Sequence, residues 1–322
     1  MIRRVVQPLV LVATGSLLVL ACTSRPEDPS GHPATPAEVE VTTGVPNIGG
    51  DLNSSIDVED DSAETDPMLY RGEDCAHVLE LTMRDFNSDH PDMQKHDGGW
   101  TEIGCGMVEP DLYVGDDGAR TPVFQAGNGT GRRSIEDGKI ICTPWDGGEP
   151  DFQVIAGEES FNQWYTNAEG VNSTFKHEIE LKLVEGSETT YYFDSYELPD
   201  KAFFPADGLG FNEQTEGHNY HFTTEAHVLF TYNQGDKFAF SGDDDLWIFV
   251  NGRLALDLGG MHGPLSATID FDAQAADLGI VPDQPYNMDI FHAERHTWDS
   301  NFRIETNIAC FTKVDVPEKV LR

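Results

Sequence analysis

A chain of 322 residues, 39% hydrophobic and 10% aromatic, carries enough apolar side chains for one large packed domain or two modest ones. Its 57 acidic against 20 basic residues give a formal net charge of −37. That excess argues against nucleic acid and anionic lipid as partners and favours calcium, cationic surfaces or neutral glycans.

In chain order, Arg3 and Arg4 precede an apolar run from Leu9 to Leu20, too short to span a bilayer comfortably, which closes in Val19-Leu20-Ala21-Cys22. The pattern resembles a bacterial lipoprotein signal peptide. The resemblance implies removal of residues 1–21 and diacylation of Cys22, a stable anchor when two acyl chains act together. An ordinary secretory signal cleaved near Ala21 is the alternative. Thr23, rather than Asp, follows the cysteine, which implies transfer to the outer membrane and a lipid-anchored place in the bacterial cell envelope or at the cell surface. Residues 22–69 are rich in Pro and acids and lack aromatic residues, so they read as a disordered tether, stretched by the acidic run Asp57–Asp61.

The folded part spans residues 70–313, with 314–322 as a tail. His77–Phe86 alternates as an outer strand, and a loop-rich stretch with Gly-marked turns follows. Strand-length apolar runs then recur at Glu178–Val184, Thr189–Phe193, Ala226–Tyr232, Lys237–Phe240, Leu246–Val250, Arg253–Leu258, Ser266–Phe271, Tyr286–Phe291 and Phe302–Ile308. Each is bounded by turn formers, which together predict an all-β sandwich or barrel. Phe161–Ala168 and Ala273–Leu278 are the best short helical turns. Beyond Cys22, the four cysteines Cys75, Cys105, Cys142 and Cys310 fit two disulfides in an exported chain. The preferred pairing is Cys75 with Cys310, clipping the ends of the domain, and Cys105 with Cys142, closing the loop-rich insertion. Zinc is the rival, but there is no CxxC pair and the spacings of 30, 37 and 168 residues fit no compact motif.

Between Phe240 and Leu246 stand three consecutive carboxylates, Asp243, Asp244 and Asp245. Adjacent like charges repel, and a hard cation with oxygen ligands would relieve them, which points to calcium. The alternative is a solvated turn. Here the sequence SGDDDLWIFVNGRLALDLGGMHGPLSATIDFD, with YNMDIFHAERHTWDSNFRIETNI after it and RDFNSDHPDM, FNQWYTNAEGVN, FFPADGLGF and HNYHFTTE before it, resembles the fibro-slime domain of bacterial surface proteins. That family is related to the protective-antigen-fourteen β-sandwich of adhesins. The resemblance covers about residues 80–310 and implies a twisted antiparallel sandwich with a calcium and sugar site at one end. It also implies two adjacent aspartates, best matched by Asp244 and Asp245 with Asp243 as a spare, joined by a cis peptide. A second loop, His296–Asn301, would complete the shell through Asp299, Asn301 and Glu294, although the Asn typical of lectin members directly after the preceding strand is replaced by Glu294-Arg295-His296.

His292, Glu294 and His296 share one face of a strand, not a zinc-protease helix, and could bind a metal or hydrogen-bond across the sandwich end. His262 sits in a Gly-rich turn near the aspartates. Trp247 is either a core aromatic or a sugar-stacking platform; His262, His296, Trp247 and Trp298 are the candidate ligand-binding side chains. No nucleophile or phosphate-loop motif is present, so a non-enzymatic role is expected. Two carboxylates suitably apart would still suffice for a glycosidase, which leaves a less favoured catalytic alternative. The expected function is a calcium-dependent surface module binding glycan or extracellular matrix; the alternative is a structural component of matrix or slime.

Overall fold

The computed structural model describes residues 75–93, 103–125, 131–136, 139–143, 155–212, 215–297 and 299–321. The chain divides into two units, Met1–Asp61 and Ser62–Arg322, and all the described residues lie in the second. The expected signal peptide and tether, including Cys22, lie outside them.

Alternating apolar residues produce twelve strands that form two packed sheets. They are β1 (Val78–Phe86), β2 (Asn172–Glu180), β3 (Lys182–Leu183), β4 (Tyr191–Asp194), β5 (Phe222–Tyr232), β6 (Lys237–Gly242), β7 (Asp245–Val250), β8 (Arg253–Asp257), β9 (Leu265–Asp270), β10 (Gln284–Glu294), β11 (Phe302–Thr306) and β12 (Thr312–Lys313). Among the described residues, a seven-stranded sheet runs β8-β7-β10-β5-β1-β2, with β12 also paired to β5, and a five-stranded sheet runs β9-β6-β11-β4-β3. Every pairing within them is antiparallel. The fold is an all-β sandwich.

Period-two alternation sorts the side chains. Leu79, Leu81, Met83, Val228, Phe230, Leu246, Ile248, Val250, Met288 and Ile290 of the large sheet meet Phe238, Phe240, Ile269, Phe302 and Ile304 of the small one. The large sheet is covered on its other face too. There Trp247, Phe249, Phe291 and Ala293 pack with Met107, Val108, Leu112, Phe161, Trp164 and Tyr165 from the loop-rich insertion. The insertion itself holds a ribbon, Tyr113–Val114 with Arg120–Thr121, and a three-stranded sheet of Ile103–Cys105, Gly131–Glu136 and Lys139–Thr143.

Two local expectations change. The run Phe161–Ala168 is only the end of a helical turn, Glu158–Phe161, after which Asn167–Ala168 pairs in parallel with Val320–Leu321. The C-terminal residues are therefore stitched to the domain instead of trailing from it. The helix α1, Phe271–Leu278, starts two residues earlier than expected because Asp270 caps it, accepting the Ala273 N–H, and ends where Gly279 turns left-handed at φ 67°. Cys75 is bonded to Cys310, their Cα atoms 5.5 Å apart. Cys105 is buried and disulfide-bonded. Its expected partner, Cys142, lies in Lys139–Thr143, where side chains are outside the described set.

Candidate functional site

The three aspartates sit where β6 hands over to β7, and the alternation of the chain splits them. Asp245 belongs to the face of β7 that also carries Trp247, turned toward the insertion, while Asp243 and Asp244 stay at the end of the sandwich. All three are buried, not solvated at a rim. Their peptide bonds are trans, like every other bond among the described residues, so the expected cis link between Asp244 and Asp245 is absent.

Each carboxylate has its own partners. Asp245 is held by Arg295, whose Nε donates to Oδ2 at 2.6 Å and Nη2 to Oδ1 at 3.1 Å, while the Gly260 N–H donates to Oδ1 at 2.6 Å. Arg295 is fully buried, lies 4.9 Å over the Trp164 ring and donates to the Asp92 carbonyl. Asp244 accepts three backbone N–H groups: His262 at 3.1 Å, Arg295 at 3.1 Å and His296 at 3.0 Å. Asp243 accepts the backbone N–H of Asn301 and, at 2.6 Å, its side-chain amide. Gly242 has no room for a side chain, because a Cβ there would collide with the Asn301 carbonyl.

Burial has electrostatic consequences here. Desolvation pushes the Asp243 carboxyl up to about 6 despite its Asn301 hydrogen bonds, with the Asp299 charge adding to the rise. Burial likewise raises Asp244 to about 7, opposed by Arg295 and reinforced by Asp245 and Asp243. Glu294, the last residue of β10, rises well above the usual carboxylate range through burial and the Asp244 and Asp243 charges. Its Oε2 is buried and has no hydrogen-bond partner.

The remaining candidates divide sharply. Trp247 is fully buried, wedged against Phe161 and Trp164, with its indole N–H on Asp257; it is a core residue and offers no ring to a sugar. His262 is buried, with both ring nitrogens on the carbonyls of Gly263 and Leu258. His292 bonds the Asp243 carbonyl, and burial lowers it to about 4, leaving the ring neutral. The expected shared face of His292, Glu294 and His296 breaks off, since β10 ends at Glu294 and His296 lies beyond it. Asp299 is exposed, and Trp298 lies outside the described residues. Asn172, a glycosylation sequon, uses its side-chain amide to bond the carbonyls of Gln163 and Thr166; the sequons at Asn53 and Asn128 lie outside the described residues.

Residues 203–212 and 215–221 border the cluster. Phe203 exchanges backbone and hydroxyl hydrogen bonds with Ser300, Phe204 stacks on His218 at 4.0 Å, and Tyr220 stands edge-on to Phe204. Burial, with the Glu294 charge next in size, raises the Tyr220 hydroxyl.

An all-oxygen donor set with excess negative charge and an unpartnered buried oxygen has the chemistry a hard cation requires. Asp245 does not belong to that set, because Arg295 already neutralises it. Among the described residues, no group of three His, Cys, Asp or Glu side chains converges closely enough to hold a metal ion as arranged.

Comparisons with known proteins change the expected lineage. No family model matches the chain. It is 36% identical over 211 residues to "Protein psiD" of Dictyostelium discoideum, covering 63% of this chain and 36% of that protein. Similarity to "Protein psiQ" of the same organism is 38% over 168 residues, 48% of this chain and 16% of the relative. With "Protein psiR" it is 32% over 211 residues, 59% and 20%. The chain thus spans well under half the length of these curated relatives. They are eukaryotic, which overturns both the resemblance to a bacterial fibro-slime family and the expected place in a bacterial envelope or outer membrane. The physical reason is plain in the structure. The motifs that carried the resemblance build β6, β7, β8 and the buried aspartate corner, so they report the packing of a sandwich and not its lineage. No helix among the described residues is long and apolar enough to cross a membrane. A solved chain described as an "anti-sigma factor domain-containing protein" aligns with 75% of this chain and 80% of its own at 10% identity; its TM-score of 0.23 carries no argument.

Proposed function

We propose that the sandwich is a calcium-dependent binding module for a neutral glycan or matrix polymer, in which the cation draws Asp243, Asp244 and Glu294 together from their present spacing to serve as its ligands. The single observation that carries this reading is Glu294: a carboxylate 1% exposed, with one oxygen unpartnered, beside two others whose charges oppose its ionisation. An isolated buried carboxylate must either keep a proton or gain a cation. The stacked rings of Phe204 and His218, half-buried and backed by the buried Tyr220, supply an aromatic surface alongside, suited to the apolar face of a sugar. Binding fits this site better than catalysis, because the carboxylates are buried and tied to the backbone instead of presented to a substrate. The Cys75–Cys310 bond belongs with an oxidising compartment, where calcium is available in the millimolar range.

A second reading has its own observation. Arg295 and the backbone N–H groups already satisfy Asp245 and Asp244, so the cluster also works as a cation-free structural corner.

Melting curves in chelator and in millimolar calcium, with calorimetry, separate the two. With a dissociation constant of about 10⁻⁴ to 10⁻³ M, calcium at roughly ten times that value adds about 1.4 kcal/mol. Glu294→Gln removes that gain and melts higher than wild type in chelator at neutral pH, because the buried side chain no longer has to take up a proton on folding. Identical wild-type melts in both buffers, with no heat of binding, would falsify the calcium reading and leave the structural one. A glycan array run with and without calcium then tests the ligand class.

A further inference from the structure

A second polar centre lies on the outer face of the large sheet, apart from the aspartate corner. Strands β1, β5 and β10 set Arg84, Glu225, His227 and Asp289 side by side there, all nearly or fully buried. Arg84 Nη1 donates to Glu225 Oε1 at 2.9 Å, and His227 Nδ1 pairs with Asp289 Oδ1 at 2.8 Å. Arg120, carried in by the insertion's ribbon, reaches Asp289 Oδ2 at 2.8 Å. A cavity of about 40 Å³ opens beside this row, walled by Thr82, Arg120, Tyr165, Lys176 and His227 and roofed by the chain from Lys313 to Lys319.

Two polar atoms of that wall are left over. Neither His227 Nε2 nor Tyr165 Oη has a hydrogen-bond partner, and both rings are more than nine-tenths buried. The Nε2 atom lies 3.7 Å from Glu225 Oε2, too far for a hydrogen bond. Both rings flank Phe291, at centroid distances of 4.9 Å for Tyr165 and 5.6 Å for His227, so they meet the cavity from neighbouring positions. Burial pulls the His227 imidazole down, but the Asp289 and Glu225 carboxylates outweigh it and raise the ring to about 9. It is an imidazolium at neutral pH, and its Nε2 carries a proton to donate.

The surroundings select the partner. Arg84, Arg120, Lys176, Lys313 and Lys319 gather here, a quarter of the 20 Lys and Arg in a chain of net charge −37. They face Glu80, Glu225, Asp289, Asp315 and Glu318, so protonated His227 tips the local balance positive. Two leftover donors in a small, slightly positive cavity suit a compact acceptor with two oxygens. We propose that this cavity binds a small carboxylate, which accepts hydrogen bonds from His227 Nε2–H and Tyr165 Oη–H with Arg120 and Lys176 beside it.

Acetate is the probe. Titrated to about 50 mM at constant ionic strength, it raises the melting temperature saturably, whereas chloride and acetamide do not. Tyr165→Phe keeps the ring and its packing, deletes one donor and weakens acetate about five-fold. His227→Gln, if it folds, weakens it further. A wild type with no saturable acetate response overturns the site, as does one that responds equally to chloride. Acetate binding by Tyr165→Phe at wild-type strength overturns it too.

Discussion

Arg295 decides what three adjacent aspartates can do. Without it, Asp245 would be a third buried charge competing for any cation; with it, Asp245 is neutralised and the excess falls on Asp243, Asp244 and Glu294. Removing one partner of a buried pair strands the other, so Arg295→Ala should cost about 3–5 kcal/mol in urea unfolding. Arg295→Lys should recover only part of that loss, because an ammonium cannot match the two-pronged contact. A cost for Arg295→Ala below about 1 kcal/mol would mean that the pair is not buried as described. In the sequence, Arg295 reads as a spacer between Glu294 and His296, since one letter in an acid-rich chain does not reveal a contact fifty residues away. The aspartates themselves were legible as a cluster of carboxylates; their hydrogen-bond partners were not, because these come from two loops, after β8 and after β10, that only the fold assembles.

At the scale of elements, β7 shows where periodicity misleads. Leu246, Ile248 and Val250 alternate as expected, but the intervening Trp247 and Phe249 are equally buried, since the insertion roofs that face. An alternating run with apolar residues at both parities signals a strand covered on two sides, which also rules out Trp247 as an exposed platform. Most strands of the sandwich were legible to within a few residues from their own alternation and turn formers, but the run Glu178–Val184 takes in only the end of β2 together with β3, and β12 was not read as a strand. The insertion was not, for its core residues Met107, Leu112 and Trp164 are scattered among glycines with no period. Trp164 pins this layer through its stacking, its place under Arg295 and its N–H bond to Asp92 at 2.9 Å. Trp164→Ala should therefore cost about 3–5 kcal/mol and expose residues 155–165 to amide exchange before the sandwich strands.

For the molecule as a whole, the ion-pair row beneath the C-terminal segment ties stability to pH. The His227 pKa is raised in the fold to about 9 from 6.5, so its contribution is fully present below about pH 6.5 and is lost as pH climbs through 9. That loss amounts to up to about 3 kcal/mol between those limits. His227→Gln should flatten the alkaline limb of a stability profile; an unchanged slope in the variant would show that other groups set it. The bond between Cys75 and Cys310 has a mechanical consequence. Tension applied at the two ends of the domain would peel the short pairings of residues 311–321 and then meet the covalent clip, gaining only ~40 Å of extension. Everything between the cysteines, including the aspartate corner, stays unloaded, whereas peeling Lys313–Lys319 strips the roof from the carboxylate cavity. Reduction would place the same pull across a 235-residue span that can lengthen by ~800 Å, so a thiol reagent would turn a stiff link into a compliant one.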